Sequence, residues 1–171
     1  MNQGIRYTGC PSREELENSP GYPSSERVKK GPVVVIECVE EIPCNPCETA
    51  CPHGAIKVGE PITNLPVLLE DKCKGCGLCI TSCPGLAIFM VDLVYSKDEA
   101  LVAIPYEYLP LPQSGERVEV VSREGKTVTQ GRIVKVDNRK RNDRTAVIHL
   151  AVKSEFAQEA RGTRIFPKRN S

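Results

Sequence analysis

Cys73-Lys74-Gly75-Cys76-Gly77-Leu78-Cys79-Ile80-Thr81-Ser82-Cys83-Pro84 is the stretch on which the reading of this chain turns. It spells C-x2-C-x2-C-x3-C-P. Thirty-two residues upstream the chain nearly repeats it, with Cys44, Cys47 and Cys51-Pro52 in register. Glu41 stands where the first cysteine of that upstream run belongs, and the nearest replacement is Cys38. The two runs hold eight of the nine cysteines, so their chemistry decides what kind of protein this is.

Runs of this spacing ligate [4Fe–4S] clusters, and the fourth cysteine of each run binds the cluster of the other. A cubane offers one open position on each iron, and each position takes a soft thiolate. Three cysteines two residues apart curl around one cluster. The fourth lies a helical turn further on and points away, and the Pro after it turns the chain. Two [4Fe–4S] clusters are therefore the expected cofactors, with crossed ligands. One set is Cys73, Cys76, Cys79 and Cys51; the other is Cys38, Cys44, Cys47 and Cys83. The gap from Cys38 to Cys44 contains Pro43 and must bulge for Cys38 to reach. The rival is a cluster held by three cysteines, with aspartate or water on the last iron.

Other chemistries use thiols too. Four thiolates suit a structural zinc ion, but such sites need only four ligands and rarely place three cysteines in succession before C-P. A disulfide framework is the other alternative. The chain opens Met1-Asn2-Gln3-Gly4 with no apolar signal segment, so a reducing cytoplasm is expected and disulfides are not. Cys10, far from both runs, reads as a plain free thiol.

A net charge of +1 in 171 residues argues against nucleic acid or an anionic membrane as partner. No apolar stretch approaches the roughly 20 residues that span a bilayer. With no Trp, three Phe and fourteen Pro, the core should be modest and the elements short. No phosphate loop, nucleophile–base pair or paired carboxylates form a motif, so the chain by itself is not expected to be an enzyme.

Four regions are expected. Residues 1–32 form an extended N-terminal arm, too poor in apolar side chains to fold alone. A helical turn over Ser12–Asn18 is marked by Ser12 and Glu15 as a capping box. A disordered tail and an arm laid on a partner fit this composition equally well. Residues 33–93 form the core, where Val33–Ile36 reads as a strand feeding Cys38. Gly54–Val58 and Gly85–Val91 trail the two runs as matching strands, expected to pair antiparallel across a pseudo-twofold core. Residues 94–114 read as a bridge in which Tyr106, Tyr108 and Leu111 could line an interface.

Residues 115–171 read as a small antiparallel β-barrel followed by a tail. Its strands are Arg117–Ser122, Thr127–Gln130, Arg132–Val136 and Thr145–Val152, with turns at Gly125, Gly131 and Asp137-Asn138. Arg139-Lys140-Arg141 reads as a polar hairpin tip and His149 as a strand-surface residue rather than a ligand. The fold class is thus α+β: a duplicated dicluster core with an arm and a barrel.

From Cys38 to Val91 the chain resembles the bacterial dicluster ferredoxin family. The likeness rests on the two cysteine runs, the C-P dipeptides and the trailing Gly54-Ala55-Ile56 and Leu86-Ala87-Ile88 segments. The stretch from Gly31 to Glu48, the Pro105–Pro112 bridge and the C-terminal strands are similar to iron–sulfur subunits of flavin-dependent amino-acid dehydrogenase complexes, of the proline, hydroxyproline or opine type. That resemblance implies an electron-transfer subunit carrying two [4Fe–4S] clusters. Its partners would be FAD-containing dehydrogenase subunits in a cytoplasmic hetero-oligomer. A free-standing soluble ferredoxin and a zinc-stabilised interaction module are the alternatives.

Overall fold

A computed structural model describes residues 3–164. Residues 165–171, at the end of the region expected to hold the barrel and tail, lie outside them. Among the described residues there are four short α-helices: α1 (Ile5–Thr8), α2 (Arg13–Glu17), α3 (Ser25–Val28) and, after the first strand, α4 (Pro46–Ala50). Nine strands accompany them: β1 (Val33–Ile36), β2 (Ile56–Lys57), β3 (Val67–Leu68), β4 (Ile88–Asp92), β5 (Glu99–Tyr106), β6 (Arg117–Val121), β7 (Thr127–Asp137), β8 (Ala146–Lys153) and β9 (Gly162–Thr163).

The N-terminal arm is helical and folds back on its own chain. Ser12 accepts the Glu15 amide at 3.2 Å while Glu15 Oε2 accepts the Ser12 amide at 2.6 Å, which completes the capping box that starts α2. Leu16 of α2 and Val28 of α3 are buried. Arg27 ties the arm down, donating to the carbonyls of Gly31, Pro32 and Cys73 at 3.1, 3.0 and 2.8 Å. One guanidinium thus holds the approach to both cysteine runs.

The strands around the runs pair differently from the expectation. The segments that trail the runs do not pair with each other. Instead β1, which precedes the first run, pairs antiparallel with β4, which follows the second, aligning Ile36 with Ile88. In the same way β2, after the first run, pairs with β3, before the second, aligning Ile56 with Leu68. Each hairpin therefore takes one strand from each half. The duplication persists in the backbone: the Leu69 amide donates to Ala55 O and the Glu37 amide to Ala87 O, both at 2.8 Å.

The expected barrel is corrected. The strands from β5 onward extend the β1–β4 pair into one open seven-stranded sheet, ordered β1-β4-β5-β8-β7-β6-β9. The end strands β1 and β9 do not pair with each other, so nothing closes the sheet. The cause is β5, which pairs with β4 at one edge and along its full length with β8 at the other. It lies within the segment expected to be only a bridge, where its charged start and Pro105 mask the strand signal. The two strands expected on either side of Gly131 are one strand, β7, and Gly131 lies within it. A Cβ there would sit 2.7 Å from the Val120 side chain, so glycine allows β6 to pass close by rather than making a turn. The core is mainly apolar: Val33, Val35, Ile36, Ile56, Ile80, Ile88, Val91, Ile104, Ile133, Ile148 and Leu150 are essentially closed to solvent.

Candidate functional site

The pairing of β1 with β4 and of β2 with β3 decides where the cysteines lie. Cys38 leaves the end of β1, and Cys83 lies just before β4, so the two reach the same side of the core. Cys44 precedes α4 and Cys47 lies within it, with Pro46 at the helix start. Together Cys38, Cys44, Cys47 and Cys83 line one cavity with Ile36, Ile42, Pro66 and Ile88. The cavity is small and partly open to solvent. Burial, then the neighbouring Cys83, pushes the Cys38 thiol up; the same order of causes pushes Cys47 up to about 11.

The other four cysteines gather around Cys79, which is buried. Burial raises its thiol strongly, and the next contributors are Cys73, Cys51 and Cys76 in that order. Cys51 closes α4 and belongs to the first run, so this group too draws on both halves. The cavity and the buried Cys79 thus each have cysteines of both runs beside them. The two crossing thiols also share a local geometry. The Ala55 amide lies 3.3 Å from Cys51 Sγ and the Ala87 amide 3.4 Å from Cys83 Sγ. Gly54 and Leu86, at equivalent places, are both left-handed, with φ of 58° and 52°. An amide donated to sulfur favours the thiolate, the form that binds metal.

The donor chemistry of these groups is that of thiolate-bound metals. Their arrangement, however, is not that of a formed metal centre. Among the described residues, no group of three or more His, Cys, Asp or Glu is gathered so as to hold a metal ion. In the first group the thiols wall a space instead of meeting at a point; a tetrahedral zinc would bring its sulfurs to roughly 2.3 Å from one centre. Two expectations are corrected by this finding. The structure does not present two [4Fe–4S] cofactors, and it does not support an electron-transfer subunit defined by carrying them, nor the zinc module. All nine cysteines are free thiols. Cys10 belongs to neither group: its Sγ lies 3.4 Å from the Arg123 carbonyl, between the arm and the β6–β7 turn.

One buried ionic element escaped the sequence reading. Glu37, next to Cys38, is held by two arginines from the far end of the chain. Arg123 Nε donates to its Oε2 at 2.6 Å and Arg161 Nε to its Oε1 at 2.7 Å. Arg161 also donates to the Ala157 and Ala160 carbonyls and lies 4.9 Å from the Phe89 ring centre. Its Nη2 is buried without a hydrogen-bond partner. These groups fasten the end of the sheet to the strand that delivers Cys38. No local motif marks them, because Glu37 pairs 86 and 124 residues along the chain.

His149 and the loop of the second run share a small cavity, lined also by Cys76, Asp137, Arg141 and Asn142. The hairpin tip after β7 therefore covers one side of that loop. Within the tip, the Asn142 side chain donates to Asp137 O at 2.9 Å, and Arg139 pairs with the Asp137 carboxylate. His149 is pushed down by burial first, then by Lys135.

Residues 37–87 match the family described as 4Fe-4S dicluster domain. That stretch of the chain is similar to ferredoxin-type 4Fe-4S domains. Among its relatives is the polyferredoxin-like subunit of aliphatic sulfonate oxidoreductase from Pyrococcus furiosus, 46% identical over 48 residues; the match covers 28% of this chain and 27% of the relative. The ferredoxin-type protein NapF of Haemophilus influenzae is 35% identical over 69 residues, 35% of this chain and 36% of that one. An uncharacterized ferredoxin of Methanocaldococcus jannaschii is 40% identical over 67 residues, 39% of this chain and 38% of that one. The chain spans less than half the length of these relatives. No solved structure matches. Nothing among these likenesses points to amino-acid dehydrogenases in particular. Among the described residues no helix is long and apolar enough to cross a membrane.

Proposed function

We propose that this chain is a non-catalytic electron carrier of the ferredoxin type, with two thiol groups as its functional residues. Cys38, Cys44, Cys47 and Cys83 form one group, and Cys51, Cys73, Cys76 and Cys79 the other. The observation that carries the reading is the crossing: each group draws thiols from both cysteine runs, through hairpins that each take one strand from each half. An arrangement that costs long loop closures is hard to explain by thiols that are merely buried side chains.

The carrier works as a subunit of a larger oxidoreductase. Two features support that. The Pyrococcus furiosus relative is by name an oxidoreductase subunit. The sheet beyond β4 is also more structure than a small diffusing carrier needs. In this role the chain's residues exclude water around the thiols, through Ile36, Ile56, Ile80 and Ile88, and donate amides to Cys51 and Cys83.

Anaerobic purification followed by iron and sulfide analysis and a dithionite titration tests the proposal. Reversible electron uptake is expected. Colourless protein that holds zinc or no metal, and takes up no electrons after anaerobic reconstitution with iron and sulfide, would overturn it.

A further inference from the structure

Away from the thiols, the large sheet carries a shallow open groove that no cysteine lines. Three cations border it: Arg117 of β6, Arg132 of β7 and Lys153 of β8. The register forces the first two together, because Arg117 and Arg132 stand directly opposite each other across the β6–β7 pair. Such side chains leave the same face, and like charges in that position destabilise a sheet. On the other side of Arg132 the β8 partner is Ala151, whose small side chain leaves the space beside the guanidinium open. Glu99 of β5, the register partner of Lys153, is the one carboxylate in the lining. Its Oε2 accepts from Arg132 Nη2 at 3.2 Å, in a pair that lies at the surface. Among the described residues neither Arg117 nor Lys153 is in an ion pair. The carboxylates nearest Arg117 in the chain are engaged elsewhere: Glu119 by Arg164 and the Thr127 hydroxyl, and Glu116 by the Gln113 amide. Asp98 and Glu155 are exposed near the strand ends but do not line the groove. Three cations against one carboxylate leave the groove with two positive charges.

We propose that this groove binds the phosphoryl group of a small molecule, a phosphate ester or a diphosphate. A guanidinium presents its N–H donors as a planar fork that matches the oxygens of a phosphate two at a time. Two such forks on adjacent strands, with backbones roughly 5 Å apart, are close enough to share one phosphate. The Lys153 ammonium adds a point charge from the next strand but one. A phosphate dianion carries the charge that the groove lacks, and binding it turns the opposed arginines from a repulsive pair into joint ligands. Glu99 cannot do this by itself, since its single charge is already directed at Arg132. The groove is open to solvent, which suits a ligand that is held by its phosphate and leaves the rest projecting outward. No thiol takes part, so the site stands independently of the carrier reading.

Pyrophosphate is the probe. It is titrated into the full chain, and the arginine Nε–H signals of an isotope-labelled sample are followed by nuclear magnetic resonance, with sodium chloride at matched ionic strength as the control. Saturable shifts of the Arg117 and Arg132 signals are expected. Arg117→Gln and Lys153→Gln should each weaken binding about tenfold. Glu99→Gln should tighten it, and Lys29→Gln/Lys30→Gln, at exposed lysines elsewhere, should leave it unchanged. Arg117→Gln should not lower the unfolding midpoint without ligand, because it relieves the like-charge pair; the same measurement confirms that every variant folds. Undiminished binding by Arg117→Gln overturns the proposal, as does an equal loss in the Lys29/Lys30 variant. Shifts that sodium chloride reproduces, or saturation at other arginines such as Arg13 alone, would mean an adventitious ion only and overturn it too. A phosphoserine peptide that engages Arg117 and Arg132 more tightly than pyrophosphate would overturn the small-molecule reading and assign the groove to a protein partner.

Discussion

Glu37 shows how far one residue's role can lie from its local sequence. Its side chain is almost closed to solvent between Arg123 and Arg161, and truncation would leave two guanidiniums without their carboxylate. Breaking a buried pair on one side typically costs about 3–5 kcal/mol. Glu37→Gln should therefore lower stability to urea by that order, and a loss under about 1 kcal/mol would contradict this account of the pair. Glu48 and Asp137 predict the acid response. Amides of Gly59 and Val58, then Lys57, hold the Glu48 carboxyl down to about 2, and Arg139 does the same for Asp137. Because both are lowered on folding, their contribution is complete above the ordinary carboxylate range and is lost as pH falls towards about 2. The thermal midpoint should be flat near neutral pH and fall in acid. The variant Glu48→Gln/Asp137→Asn should start lower at pH 7 and fall less, and an acid limb as steep as the parent's would refute this. Gly54 offers a backbone test. Its φ is left-handed and a Cβ there would meet nothing within 4 Å, so Gly54→Ala should cost only the backbone strain, about 1 kcal/mol.

At the scale of elements, the sequence was most readable where the signal is local. The Ser12–Glu15 capping box and the strands β1, β6 and β8 follow from spacing and alternation over a few residues. Pairing partners and closure are set by distant segments, and there the reading failed. Alternation identifies a strand without naming its neighbour, so matching strands after the two runs suggested a pair that the fold does not make. Likewise several short strands suggested a barrel, because nothing in their pattern tells an open sheet from a closed one. Gly131 misled for a similar reason: glycine marks turns and close approaches alike. The arm shows the same limit. Its polar composition says little about docking, yet Arg27 binds four carbonyls, those of Gly31, Pro32, Glu70 and Cys73. Arg27→Ala should cost roughly 2–3 kcal/mol and speed hydrogen exchange of the Cys73–Cys76 amides; unchanged exchange would place the arm outside the site's support.

Over the whole molecule, an open sheet carries two thiol groups at one end and locks its far end back through Glu37. Cysteine spacing alone suggests two crossed sets of residues as the candidate site. The shape of the groups was not legible, since thiols that wall a cavity and thiols that meet on an ion can share a spacing. The crossing is the central claim, and single Cys→Ser variants test it most directly. Each variant is purified anaerobically, and its iron content and redox titration are compared with the parent's. Cys51→Ser should remove the same redox component as Cys73→Ser and Cys79→Ser, and Cys83→Ser the same component as Cys44→Ser and Cys47→Ser. If Cys51→Ser instead matches Cys44→Ser and Cys47→Ser, or if neither crossing variant changes iron or electron uptake, the account is wrong.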